Sequence, residues 1–407
     1  MIHISLSPNL QSDDLLLSIK LLFKPQNWKT TTKQLILANQ LVKMYKGSKA
    51  YLTNSGRSAL LFGLTTLNLP KRSEIILQSF TCSAAVNPII SSGLVPKYID
   101  IDLQNYNINP DKIKEQINQN TRAIVIQHTF GTPADVNKIK KIAQKHKLTL
   151  IEDCAHSLGA SYKNKPVGSF GDISILSFGR DKVISSVFGG ALIINNPKLF
   201  KSAEKIYSNL KYPSTKWTYQ QLLHPIITST SKMLYSTNVG KLILLSSQKL
   251  KLVSKALYPE EKYHKIPQIF PAKLPEPLAA LALNQLKKLT SFNNHRAKIA
   301  KTYDKKITNP AVKKPSPNKH SIYLRYNILT QDAKSLLKYL KHNSVIAGDW
   351  YTQPITPSNN LKRAHYTQGS NKNTEYACTH SINLPTNPNT SILNAKEIAK
   401  LINQWKL

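Results

Sequence analysis

The chain has 407 residues, 41% of them apolar, and carries 56 Lys plus Arg against 21 Asp plus Glu, a formal net charge of +35. That length is too great for one simple core and predicts two domains, while the apolar share excludes wholesale disorder. Three widely spaced cysteines, Cys82, Cys154 and Cys378, without CxxC or metal-type spacing, exclude a disulfide framework and a metal centre and predict a reducing, cytoplasmic setting.

The start, MIHISLSPNL, lacks a charged segment leading into an apolar run, so no signal peptide is expected, and no run of 18 apolar residues predicts a spanning helix. The basic residues are spread along the chain, and no RNP, KH or zinc-finger pattern accompanies them. No nucleic-acid partner is therefore expected. Surface bias toward Lys is the plain reading of the charge. Attraction of anionic nucleotide sugars, or of an anionic membrane, competes with it.

From about residue 33 to 195 helical and strand periods alternate. KQLILANQLVKMY reads as a helix, AYLTN as a strand and GRSALLFGLTTL as a helix opened by small residues. EIILQ is a strand, SAAVNPIISSG a helix ending at Gly93, and PKYIDID a strand. NPDKIKEQI is predicted as a helix with Pro at its first position. TRAIVIQH, LTLIED, DISILSF and GALIINN are further strands, with the helix PADVNKIKKIAQKHK after the first. This alternation predicts an α/β fold, a mostly parallel sheet with helices on both faces. Ligands of such sheets bind beyond the carboxyl ends of the strands. Ser55–Ser58, Phe80–Cys82, His128, Asp153–His156 and Ser177–Lys182 all fall just there.

Residues 205–259 hold eight Lys and no Asp or Glu. Leu242, Leu245, Leu252, Val253 and Ala256 recur at roughly helical spacing, interrupted by Lys249. A basic helical insertion packed on the large domain is the plain reading, and a peripheral membrane face the sharper one. A long helix is expected from about 276, then a Pro- and Lys-rich break, then strands (SIYLRYNILT, SINLP) mixed with helices (AKSLLKYLKH, NAKEIAKLINQW). Residues 1–260 are expected to form the large domain, and 261–407, with the linking helix, a smaller α+β domain.

Asp153 ends a very apolar strand, where an unpaired carboxylate is costly, so a cationic or proton-donating partner is expected. His156 lies three residues on; the plain alternative for the pair is a capping Asp and a satisfied core His. TNSGRSAL puts backbone N–H groups at a helix start, a natural phosphate site. Ser177 stands five residues before Lys182, the Lys of a polar elbow between an apolar strand and a Gly pair. A cradle, a carboxylate and a Lys on successive strand ends suit pyridoxal phosphate, which needs a Lys amine, a partner for its ring nitrogen and a phosphate site.

From about residue 30 to the C-terminus the chain resembles the DegT/DnrJ/StrS family of pyridoxal-phosphate-dependent sugar aminotransferases, which have the aspartate-aminotransferase-like type I fold. HTFGTPADVNKIKKIAQKHKLTLIEDCAHSLGA is similar to that family's central block and GSFGDISILSFGRDK to its lysine block. GDWYTQPITP and INLPTNP resemble its small-domain signatures. The resemblance implies that Lys182 is the Schiff-base and catalytic lysine. It implies that Asp153 pairs with the ring nitrogen and that His156 lies beside the ring. Ser177 would bind phosphate with the backbone of Gly56, Arg57 and Ser58, and the Arg57 side chain would add a charged contact. Cys82 stands where many members stack an aromatic ring, which Phe80 would replace. Phe188 stands for a Glu, and the cross-dimer Asn is missing near FPAKL, where Lys273 retains a charge. The implied activity is transfer of an amino group from an amino acid, glutamate foremost, to a keto-sugar on a nucleotide, through the pyridoxamine form, by a cytoplasmic homodimer serving polysaccharide or amino-sugar synthesis. The alternatives are a sugar dehydratase of the same family, against which the retained Lys182 argues, and a non-catalytic basic protein on this fold.

Overall fold

A computed structural model describes residues 2–4, 7–235 and 238–406. Short apolar runs bounded by turns form a seven-stranded sheet: β1 (Lys49–Thr53), β2 (Glu74–Gln78), β3 (Val95–Ile99), β4 (Thr121–Gln127), β5 (Thr149–Asp153), β6 (Ile173–Ser177) and β7 (Gly190–Ile194). They lie in the order β1-β7-β6-β5-β4-β2-β3. Every pairing is parallel except those of β7, which runs antiparallel to β6 and β1. The type I pyridoxal-phosphate transferase fold expected from the sequence, mostly parallel and helix-covered, is the fold observed.

The helices before the second sheet are α1 (Ser12–Leu22), α2 (Thr32–Met44), α3 (Gly56–Leu67), α4 (Ser83–Ser91), α5 (Val136–Lys145), α6 (Phe200–Asn209), α7 (Thr215–Met233), α8 (Val239–Lys249), α9 (Glu276–Leu286) and α10 (Leu289–Lys306). Strand side chains alternate between faces. Ile75 and Leu77 of β2 and Ala123 and Val125 of β4 pack with Ala59, Leu60, Phe62 and Leu64 of α3. Ile76, Ile124 and Ile126, one residue out of step, pack with Val136, Ile139 and Ile142 of α5 on the other face. Covering both faces leaves the carboxyl edge as the place where polar side chains can converge. A smaller antiparallel sheet, β8 (Val312–Lys313), β9 (Tyr326–Thr330) and β10 (Ser381–Leu384), packs with α10 and the helices Ala333–His342 and Ile392–Gln404 around Tyr303, Ile328, Leu336, Ile382 and Ile398.

Three expectations need correction. The long helix from 276 is two helices, and Lys288 at the break pairs with Asp13 and Asp14 in the first turn of α1 at 2.8 and 3.0 Å. NPDKIKEQI forms two 3-10 turns instead of an α-helix; the run is short and Ile113 is the residue it buries fully. The helical stripe read through Ala256 stops at Lys249. Lys251 takes φ +56°, and Val253 turns into the core while Leu242, Leu245 and Leu252 stay exposed. Ser236 and Thr237, in the acid-free stretch, lie outside the described residues.

Candidate active site

The carboxyl edges of β1, β2, β4, β5 and β6 open into one pocket. Gly56 and Arg57 open α3 on its wall, with Cys82 from the turn after β2, Asp153 and His156 from the end of β5, and Ser177 and Lys182 from the end of β6. Helix α3 approaches closely because position 56 has no side chain: a Cβ there would lie 2.9 Å from the Cβ of Ser177. Ser55 caps α3, its Oγ accepting the N–H of Ser58 at 3.1 Å. Ser58 is therefore corrected as a phosphate donor; its amide is used and its side chain, fully buried, binds Asn54 Oδ1 at 2.6 Å. The N–H groups of Gly56 and Arg57 have no partner among the described residues, so they are the donors left at this helix start.

Asp153 is buried; its Oδ1 accepts the Ala155 N–H at 3.0 Å, and its other oxygen has no hydrogen-bond donor among the described residues. Burial pushes its carboxyl above the usual range, opposed by the Ala155 N–H and by Lys182. The turn bearing Lys182 is fixed from two sides: Asn9 Nδ2 donates to the Lys182 and Val183 carbonyls at 2.6 and 3.1 Å, and Arg296 donates to Val183 at 2.8 Å. Burial pulls the Lys182 amine below the ordinary lysine value, with Arg325 adding repulsion. Its Nζ lies 2.9 Å from His156 Nε2. The Phe130 N–H points at His156 Nδ1, at a long 3.4 Å, which puts the imidazole proton on Nε2. Burial, then Lys182 and Arg325, hold His156 well below its usual pKa. Burial thus biases the Lys182 amine toward the uncharged form that a nucleophile needs.

The Arg57 side chain is corrected as a free charged contact. It pairs with buried Glu261 and donates to the Ala256 carbonyl at 2.9 Å, tying down the segment whose Ala256 and Leu257 line the pocket. Arg180 does likewise through Ser254, at 2.7 Å to its carbonyl and 2.9 Å to its Oγ. Both guanidiniums lie over Phe188, at 5.8 and 5.4 Å from the ring centroid, so the Phe in place of a Glu is their shared platform. Phe80 is fully buried among Tyr106, Phe130 and Tyr351 and is not on the pocket wall, which removes it as a stacking ring. Lys273 points away, its Nζ donating to the Ser208 carbonyl at 3.2 Å. His128 faces Glu152 at 3.2 Å; the Glu152 carboxylate also takes the N–H groups of Gly168, Phe170 and Gly171 and so anchors that loop.

A sequence model of the DegT/DnrJ/EryC1/StrS aminotransferase family matches residues 16–237 and 245–403. The chain belongs to the DegT/DnrJ/EryC1/StrS aminotransferase family. Among its relatives, the dTDP-4-dehydro-2,6-dideoxy-D-glucose 3-dehydratase of Saccharopolyspora spinosa is 29% identical over 268 residues, 63% of this chain and 53% of that protein. The dTDP-3-amino-3,6-dideoxy-alpha-D-galactopyranose transaminase of Aneurinibacillus thermoaerophilus is 25% identical over 354 residues, 86% of this chain and 84% of that one. The chain thus spans about half the length of the first relative and most of the second. NtdA of Bacillus subtilis, solved with bound cofactor PMP, shares the fold: TM-score 0.75, 20% identity, 100% of this chain and 85% of that chain covered.

For this member of the DegT/DnrJ/EryC1/StrS family, sequence reasoning missed Arg325, Trp350 and Tyr351, which complete the pocket from the C-terminal part, and Glu261, which holds Arg57. A signal for Arg325 was present. Only seven of the 56 basic residues are Arg, and Arg57, Arg180 and Arg325 all line this pocket. In a chain that uses Lys for surface charge, Arg marks places where a planar fork is needed.

Proposed function

We propose that this chain is a pyridoxal-phosphate-dependent aminotransferase that moves an amino group from an amino acid, glutamate foremost, to a keto-sugar carried on a nucleotide. The observation that carries the reading is the buried Lys182 amine on the pocket wall, 2.9 Å from His156 Nε2. The residues fit the cofactor: Asp153 keeps an oxygen without a donor for a ring nitrogen, and Gly56 and Arg57 keep open N–H groups beside Ser177 for a phosphate. When bound, the cofactor supplies an electrophilic carbon and an electron sink for charge developing at the substrate carbon.

Lys182 would hold the cofactor through its amine and, once freed, would move the proton at the substrate α-carbon as general acid and base. Asp153 would pair with the ring nitrogen and keep it protonated. His156 orients the lysine amine. The tethers from Arg57 to Glu261 and from Arg180 to Ser254 hold residues 253–264 over the pocket and exclude water. Cys82 borders the pocket with a small side chain, and Phe188, Trp350 and Tyr351 are its aromatic walls. Retention of Lys182 favours transfer over the dehydration named for the Saccharopolyspora relative. The test is incubation of the reconstituted protein with nitrogen-15 glutamate and a panel of nucleotide-linked keto-sugars. A labelled amino-sugar nucleotide supports the reading, and a dehydrated product without label refutes it.

A large unit of residues 1–260 and a small one of 261–407, paired in a cytoplasmic homodimer with sites near the interface, complete the reading. Exposed Leu16, Phe23 and Leu35 on α1, the turn after it and α2 support a second copy as partner. Light scattering at micromolar concentration is expected to give twice the chain mass; a fully active monomer contradicts it. No helix among the described residues is long and apolar enough to cross a membrane.

Residues 205–259 carry a second reading, contact with an anionic lipid surface. Leu242, Leu245 and Leu250 are 66, 64 and 69% exposed, and Lys241, Lys249, Lys251 and Lys255 beside them are exposed too. Each Lys near such a surface contributes about 1 kcal/mol. The wild type is expected to sediment with anionic but not neutral vesicles at low salt. Changing those four lysines to Gln is expected to abolish most of that binding. Wild type left in the supernatant rules the lipid reading out.

A further inference from the structure

Asn9 stands far from Lys182 in sequence and grips the turn that bears it. The segment around Asn9 is stapled to the C-terminal part of the chain. Ile2 and His3 pair as a parallel strand with Val345 and Ile346, and Asn387 Nδ2 donates to the His3 carbonyl at 3.0 Å. Asn389 Nδ2 donates to the Pro8 and Leu10 carbonyls at 2.8 and 3.2 Å. Those two carbonyls flank Asn9, so a residue just after β10 fixes the backbone from which its side chain leaves. Gln285 of α9 holds the Asn9 carbonyl itself at 3.1 Å.

The side chain is fully committed. Asn9 is 1% exposed; its Nδ2 donates to the Lys182 and Val183 carbonyls, and its Oδ1 accepts from Arg296 at 2.9 Å. Two carbonyls on one side and a guanidinium on the other leave the amide a single orientation. Arg296 is buried completely, and amide and carbonyl oxygens meet its charge: those of Asn9, Asn293 and Val183. A bond from a cation polarises the Asn9 amide and strengthens the two bonds that its N–H groups give. The turn also has hydrogen bonds of its own, from the Lys182 N–H to Gly179 at 3.2 Å and from the Ser186 N–H to Phe178 at 2.9 Å. What Asn9 adds is direction. It does not line the pocket, so it holds the turn from behind while the Lys182 amine faces His156 in front.

We infer that Asn9 is a positioning residue for Lys182, presented to it by an N-terminal segment that the C-terminal part of the chain holds in place. The inference rests on the amino-transfer reading of the same site. It follows that the lysine amine is sensitive to Asn389, which touches neither the turn nor the pocket wall.

The test compares wild type, Asn9→Ala, Asn9→Asp and Asn389→Ala, each with a thermal melt. The first readout needs no cofactor. Apoprotein is labelled with acetic anhydride over a series of pH values, and mass spectrometry follows Lys182 against the exposed lysines. In Asn9→Ala the labelling midpoint of Lys182 is expected to move to higher pH, because a loosened amine escapes the burial that holds it below the ordinary lysine value. The second readout is kcat and KM for glutamate in the holoprotein. Asn9→Ala is expected to lower kcat about ten- to a hundredfold, the scale of a small misplacement of a reacting group, with KM changed much less. Asn9→Asp keeps the shape and the Arg296 contact but sets an oxygen against two carbonyls. It is expected to keep its melting temperature better than Asn9→Ala and to lose as much kcat. Asn389→Ala is expected to shift both readouts in the same direction by less, and it decides the matter if the Asn9 variants do not fold. Folded variants with the wild-type labelling midpoint and kcat overturn the proposal. So does a loss of activity that only tracks the folded fraction, with the midpoint unmoved. A midpoint that moves in the Asn9 variants, in a wild type that binds no cofactor at Lys182, refutes the transfer reading and leaves the positioning of the amine standing.

Discussion

Lys182→Ala is expected to abolish the visible absorbance of lysine-bound cofactor and to cut turnover by at least about a thousandfold, while the protein stays folded. The truncation removes both the bonding amine and the group that moves the substrate proton, and no second lysine among the described residues lines the pocket. The turn itself does not depend on that amine, because Asn9 and Arg296 hold it through backbone carbonyls. His156 Nε2 loses its 2.9 Å partner but still faces the pocket, where water can replace it. The melting temperature is therefore expected to change little. A purified variant with normal turnover would end the account of this site.

Asp153→Asn is expected to lower turnover about a hundred- to thousandfold, the scale seen when one preorganised electrostatic partner is removed. Structure should survive. Asn keeps the oxygen that accepts the Ala155 N–H, and the burial burden on a carboxylate disappears. The cofactor is expected to bind still, through the phosphate cradle and Lys182, but an amide does not sustain a protonated ring nitrogen. Stability by thermal melt, cofactor content by absorbance and turnover separate these effects. Near-normal turnover with full cofactor content removes Asp153 from this role.

Much of this was legible because the informative residues follow strands whose period is strong. LIED, ILS and the small residues of TNSGRS mark three strand ends, and parallel topology brings such ends to one edge. What was hidden depends on segments far apart in sequence. Arg325 reads as one charged residue in a mostly apolar strand, SIYLRYNIL, and only the packing beside Phe130 and Trp350 places it on the pocket wall. The Arg57 side chain was legible as a charge but not as a tether, since Glu261 lies 204 residues away. Ser58 shows the limit of local reading: its amide sits at a helix start, but the neighbouring Ser55 hydroxyl takes it first. The end of α8 at Lys249 was obscured by leucines that continue the helical spacing beyond the point where the backbone turns.

The most direct test of the central claim asks which of the chain's 49 lysines carries the cofactor. Holoprotein is reduced with borohydride at one equivalent of pyridoxal phosphate, digested, and mapped by mass spectrometry. The account predicts one dominant modified peptide, that of the SFGRDK turn, with the added mass on Lys182 and its loss when glutamate is supplied before reduction. Modification scattered over surface lysines, with Lys182 unmodified and no effect of glutamate, would contradict it.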